Sequence, residues 1–321
     1  MPGSVIRDIR WTSRKGDEFE VYVEFFPSLP SIKEVCFNRE VQMVDQSEHN
    51  YFSDCPENEL EFSSSLSIET RGELFEKMDK GYGSPEAIRR VRKAKFTPTT
   101  DKVEKLCKVQ RSVCGGAVDV PSYLRDRPDC MIGYKRAKCK SKLLELVVDI
   151  GTPHFTSAQE IEAVGTAMST AVCALENAGY RVGITATAGI GDGYHKHIIN
   201  ILALRVKRTS QALNISKMMF ALADATFLRG VVFGWLIKTP RISDEAGLGY
   251  PLDPFMNYFG VKDQVSDLLR TVAPYATTVV SLDSIIRMYR NAQGEREAKI
   301  NQISNHITAL MLDSGVKEND G

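Results

Sequence analysis

Two dense runs of cations stand out among the residues able to do chemistry. Arg89, Arg90, Arg92, Lys93 and Lys95 fall within RRVRKAK, and Lys135, Arg136, Lys138, Lys140 and Lys142 within KRAKCKSK. Each run places four or more positive charges in about eight residues, a density associated with nucleic-acid patches. Phe96 follows the first run and Tyr134 precedes the second. Cations so grouped neutralise phosphates, while a neighbouring ring stacks on an unpaired base. These twelve residues are the candidate nucleic-acid-binding set. The alternative is a solvated basic face, or one covered by the acidic stretches ENELEF and ETRGELFEKMD nearer the N-terminus.

The charge count by segment sharpens both readings. The chain of 321 residues has 41 Lys/Arg and 41 Asp/Glu, a net charge of zero. Residues 1–85 hold 9 Lys/Arg against 17 Asp/Glu, net −8, whereas residues 86–142 hold 16 against 6, net +10. Residues 143–321 hold 16 against 18, net −2. Such asymmetry points to an anionic partner or to pairing between the segments.

Other groups carry weaker patterns. His195 and His197 flank Lys196 at the start of an expected strand, where alternation sets both imidazoles on one face and within reach of a shared metal ion. Two histidines about a hydrophobic residue, on a central strand, resemble the metal-binding motif of single-strand DNA nicking enzymes. That family also uses a helix-borne tyrosine nucleophile, for which Tyr289 is the candidate. Lys196 departs from the pattern, since a cation there repels a metal, and solvated strand-end histidines are the plainer account. Cys107, Cys114, Cys130 and Cys139 lack the two- to four-residue pairing of structural zinc sites and read as small buried thiols. GIGDG at 189–193 joins two expected strands, not a strand and a helix, so it is not read as a phosphate loop. No metal site is assigned and no cofactor is expected.

Periodicity supplies the elements that must hold these residues. FEVYVEFF at 19–26 alternates as a strand, residues 45–68 read as polar loop, and 70–80 as a short amphipathic helix. Ser84 with Pro85 opens a basic helix through about Lys95, and residues 101–109 suggest another short helical stretch. From Leu143 the order becomes strand (LLELVVDIG), helix capped at Ser157 with Glu160, strand (YRVGITATA), strand (HKHIINILALRVKR), helix (215–225) and strand (LRGVVFGWLIK). A continued helix is the alternative for the last of these. This βαββαβ order predicts an α+β fold with a ferredoxin-like central domain. The expected division is an acidic-then-basic N-terminal region 1–142, the ferredoxin-like domain 143–239, and a C-terminal extension 240–321. Within that extension a long helix is capped at Ser281 or Asp283, and NAQGEREAK at its middle is exposed or locally broken.

Composition and further motifs bound the function. The chain is 43% hydrophobic and 26% charged, which argues against wholesale disorder, collagen or a coiled-coil rod. No run of about 18 uncharged apolar residues exists to cross a bilayer, and MPGSVIRDIRW has no apolar core for a signal peptide. A reduced, intracellular protein with no membrane partner is expected. VDVPSYLRDRPDCM, AMSTAVCALENAGYRVGI and FALADATFLRGVVF together resemble an uncharacterised domain of unknown function common in tailed-phage genomes. Leu175, Glu176, Gly179, Tyr180, Arg181 and Val182 carry the middle block, and Phe227, Leu228 and Arg229 the last. The resemblance implies a phage protein working in the host cytoplasm, with the virion as the other location, and brings no assigned activity with it. The leading expectation is a non-enzymatic accessory protein of transcription or replication that binds nucleic acid, with a single strand as the better-fitting form. The alternatives are an assembly module, acting by self-association or on a phage or host protein, and a metal-dependent nicking enzyme.

Overall fold

The computed structural model describes residues 4–38, 71–82, 84–94, 107–114, 116–136, 143–153, 156–191, 197–232, 234–235 and 250–317. A mixed sheet organises most of them. β6 (Leu143–Asp149) lies parallel to β7 (Arg181–Gly191) on one side and to β10 (Thr278–Ser281) on the other. β8 (Ile198–Lys207) turns back antiparallel to β7. β2 (Glu18–Phe26) runs parallel to β8, and β1 (Val5–Thr12) closes the edge antiparallel to β2. The order is β1-β2-β8-β7-β6-β10, with β9 (Tyr250–Pro251) pairing beside the end of β7.

Strands from the first and third charge segments therefore share one sheet, while those of the basic middle segment form another. β6 reads LLELVVD because both of its faces are covered. Leu144, Leu146 and Val148 face the larger core, while Val147 faces the opposite side. The larger core also takes Leu29 and Ile32 from α1 (Leu29–Asn38), Leu74 and Met78 from α2 (Arg71–Lys80), and Ala87 and Val91 from α3 (Pro85–Arg92). Residues from α5 (Ala158–Asn177), α6 (Ile215–Ala223), α9 (Leu282–Asn291) and α10 (Arg296–Lys317) complete it. The opposite face packs Leu252, Phe255 and Met256 of α7 (Leu252–Tyr258) and Leu268 and Leu269 of α8 (Val265–Val272) over Phe19, Val21, Ile199 and Ile201. α4 (Val120–Tyr123) belongs elsewhere, to a separate three-stranded sheet.

Several local expectations hold. Ser157 and Glu160 form the capping box of α5, each side chain accepting from the other's backbone N–H at 3.3 and 3.0 Å. Ser281 caps α9, and the chain breaks at Gly294, φ 99°, before α10.

Three expectations are corrected. α5 joins β6 and β7 as direct parallel neighbours, with Leu143 opposite Arg181, so no strand splits the βαβ unit as a ferredoxin-like domain requires. The free edges that such a domain would fill itself are taken by β2 from the N-terminal segment and β10 from the C-terminal one. Over its described residues LRGVVFGWLIK is helical, the alternative to a fourth strand: Phe227–Val232 is a π-helical segment. Asp224 starts it, its Oδ1 accepting from Thr226 N at 2.9 Å and its carbonyl from Phe227 N at 3.0 Å. A short apolar run has no periodicity of its own to separate helix from strand, and that cap decides it. Cys107–Ser112 is a strand, not the end of a helical stretch. The loop expected at 45–68 lies outside the described residues.

Candidate nucleic-acid interface

The first basic run forms a surface because α3 is strongly two-sided. Ser84 Oγ accepts from Ala87 N at 3.4 Å and Pro85 takes the first helical position, so the helix starts where the residue types require. Ala87 and Val91 are buried against α5 and α6, and the Ala94 carbonyl accepts from Asn177 Nδ2 at 3.0 Å. With that stripe fixed inward, the intervening positions must face out. Arg90 is answered: its guanidinium meets Glu297 of α10 at 2.7 Å. Arg89, Arg92 and Lys93 are exposed, and among the described residues their side chains form no ion pair or hydrogen bond. Spaced three and four apart, they are neighbours on the helix surface. Cations in a last turn favour the helix dipole by about 0.3–1 kcal/mol, which is a local reason for their being there.

The second basic run begins on a strand. β3 (Cys107–Ser112), β5 (Met131–Arg136) and β4 (Ala117–Val118) make the separate sheet, in the order β3-β5-β4. The register sets Tyr134 opposite Val109, Lys135 opposite Lys108, and Arg136 opposite Cys107. Lys95, Phe96, Lys138, Lys140 and Lys142 lie outside the described residues. Cys114 is exposed, contrary to the reading of buried thiols, and Cys130 is half-buried.

The histidine and tyrosine of the nicking pattern stand on opposite faces of the main sheet. His197 lies between Phe19 and Phe259, with ring centroids 4.9 and 4.7 Å away, on the α7 side. Tyr289 packs against the larger core on the other side, with Lys299 Nζ 5.4 Å from its ring. His195 lies outside the described residues. Among those residues, no group of three or more His, Cys, Asp or Glu is placed to hold a metal ion.

A family model described as a domain of unknown function, DUF7192, matches residues 8–281. The chain belongs to the DUF7192 family. No curated protein and no solved structure matches it. The DUF7192 match runs from Asp8, within β1, to the last residue of β10, so all of the main sheet but the first three residues of β1 lies within it.

Inside the DUF7192 span, the motif blocks read from sequence have structural work. Gly179, at φ 97°, ends α5, with Tyr180 N donating back to the Leu175 carbonyl. Glu176 then accepts from Val182 N at 2.8 Å and from Lys207 Nζ at 2.8 Å, tying the helix end to β7 and β8. Arg229 donates to the Thr156 carbonyl at 2.6 Å, joining the π-helical segment to the approach of α5.

Sequence reading missed a buried trio of aspartates at the carboxyl edge of the parallel strands. Asp149 ends β6, Asp253 and Asp283 are the second residues of α7 and α9, and all three are buried. Lys262 Nζ lies 4.0 Å from Asp253, Arg287 pairs with Asp283, and the Ser281 hydroxyl donates to Asp253. Burial, then the Asp253 carboxylate, pushes Asp149 up to about 8, so it is largely a neutral acid at neutral pH. The local cues were an aspartate closing an apolar strand and aspartates in first helical turns. Their convergence depends on strand order, which no local pattern encodes.

Proposed function

We propose that this DUF7192 protein binds nucleic acid through its exposed cations, without altering it chemically. The observation that carries the reading is the trio Arg89, Arg92 and Lys93, held outward by a buried apolar stripe with no acid of the described chain answering it. Adjacent like charges repel, and a phosphate backbone removes that cost. Net neutrality of the whole chain disfavours indiscriminate duplex binding, so a local groove for a single strand fits better. Tyr134, Lys135 and Arg136 belong to the same set, with Lys95, Phe96, Lys138, Lys140 and Lys142 continuing it in sequence. In this reading the protein is a phage accessory to transcription or replication, acting in the host cytoplasm.

The test is an electrophoretic shift with labelled single- and double-stranded DNA and RNA. With six to ten phosphate contacts, affinity falls about 10³–10⁵-fold between 50 and 200 mM salt. Undetectable or salt-insensitive binding contradicts the proposal.

A further inference from the structure

The turn between β4 and β5 inverts the usual rule of burial. Val120, Tyr123 and Leu124 stand 57, 63 and 77% exposed, whereas Ser122 among them is buried. Polar groups are turned inward to build the turn. The Ser122 hydroxyl donates to Asp119 Oδ2 at 2.7 Å, and the same oxygen receives Arg111 Nη2 at 2.8 Å from the neighbouring β3. Tyr123 N and Leu124 N donate to the carbonyls of Asp119 and Val120, and Arg125 N and Arg127 N both donate to that of Ser122. Asp126 adopts φ 54°, the left-handed conformation that reverses the chain, and Asp119 N donates to the Cys130 carbonyl at 2.8 Å to close the base. The result is a small knuckle, fixed by its own hydrogen bonds, that holds an aromatic and two aliphatic side chains in water.

Exposed apolar groups on a rigid frame are costly unless a partner covers them. The surrounding charge states which partner. Arg125 and Arg127, both exposed, follow the tip on either side of the exposed Asp126, Arg111 reaches its base through Asp119, and residues 107–136 hold six Lys/Arg against three Asp in sequence. A ring and an aliphatic wedge flanked by guanidinium groups match unstacked bases on a phosphate backbone. We infer that Val120–Arg127 is a base-contacting knuckle, in which Tyr123 stacks on an unpaired base, Leu124 fills the adjacent gap, and Arg125 and Arg127 take the flanking phosphates. This rests on the nucleic-acid reading and adds to it the part of the ligand that is touched.

The experiment uses the full chain, a Tyr123→Trp variant and a Tyr123→Ala/Leu124→Ala double variant. They are titrated with a single-stranded oligonucleotide and with inorganic polyphosphate, which has the charge but no bases. Because these side chains are exposed, the double variant should melt with the wild type. The expected result is quenching of the introduced indole's emission by the oligonucleotide and not by polyphosphate. The double variant should lose about 5- to 150-fold in oligonucleotide affinity for each stacked base, with polyphosphate affinity unchanged. Wild-type binding to the oligonucleotide that the double variant reproduces overturns the knuckle and leaves the α3 cations as the interface. A wild type that binds no nucleic acid overturns both. Should the double substitution instead convert a dimer to a monomer in sedimentation, the turn is a contact between copies and the inference fails.

Discussion

A cation in the interior of a protein needs an acceptor for each of its protons, and Lys207 has three. Its ammonium donates to Glu176 Oε1 at 2.8 Å, to the Val182 carbonyl at 2.7 Å and to the Arg208 carbonyl at 3.3 Å. Lys207→Met leaves the buried Glu176 carboxylate with only the part-exposed Arg181, 3.5 Å away, as its counter-ion, and a loss of about 3 kcal/mol, the low end for a broken buried pair, is expected, read from the urea midpoint. A change below about 1 kcal/mol would mean that the pair is not fully desolvated. Arg92 on α3 makes the contrast, since truncating an exposed, unpaired cation changes stability by no more than about 0.5 kcal/mol. Asp149 makes a different claim. Unfolded it titrates near 3.8, folded near 8, so between those values the native state holds a proton that the unfolded chain has released. Stability from this group therefore falls as pH rises from about 4 to 8 and is level above. Asp149→Asn retains an acceptor for Gly151 N and removes that decline. Melting curves from about pH 5 to 9 should show the variant gaining on the wild type as pH rises. Asp253, raised chiefly by burial, contributes a decline of the same sign in both proteins. Parallel curves would contradict the assignment.

Helix α5 owes its position to what its residues leave out. Gly165 lies where α6 crosses, and a Cβ there would overlap the Leu222 carbonyl and the Ala223 Cα, both backbone. Backbone cannot rotate away, so Gly165→Ala should cost about 1–3 kcal/mol or more, measured by thermal or urea unfolding. A neutral substitution would show that the two helices can part. The ends of α5 were legible because their chemistry is local: Ser157 with Glu160 at the start, Gly179 before Tyr180 at the finish. α3 was legible in the same way from Ser84 and Pro85. The π-helical segment was misread because FLRGVV is apolar and short, so the deciding signal was the capping aspartate, Asp224, outside the run. β1 was overlooked as a strand. Arg7, Asp8 and Arg10 interrupt it, and most of its side chains face water, which suits an edge but gives no clean alternation.

At the scale of the molecule, sequence pattern named four strands of the main sheet, β2, β6, β7 and β8, and failed to order them. β2 lies beside β8, and β10 beside β6, across separations that no periodicity reports. That ordering carries the aspartate trio together and separates His197 from Tyr289. The basic runs were legible as composition; that Glu297 answers Arg90 while Arg89, Arg92 and Lys93 stay open required the docking of α10 beside α3. The proposed function rests on those three groups being available to a polyanion. The most direct measurement is the slope of log affinity against log salt for a single-stranded oligonucleotide, compared between wild type and Arg89→Ala/Arg92→Ala/Lys93→Ala. Each phosphate contact contributes about 0.7 to that slope, so the triple variant should bind more weakly with a slope shallower by about two. Equal affinity and equal slope in the two proteins would contradict the account.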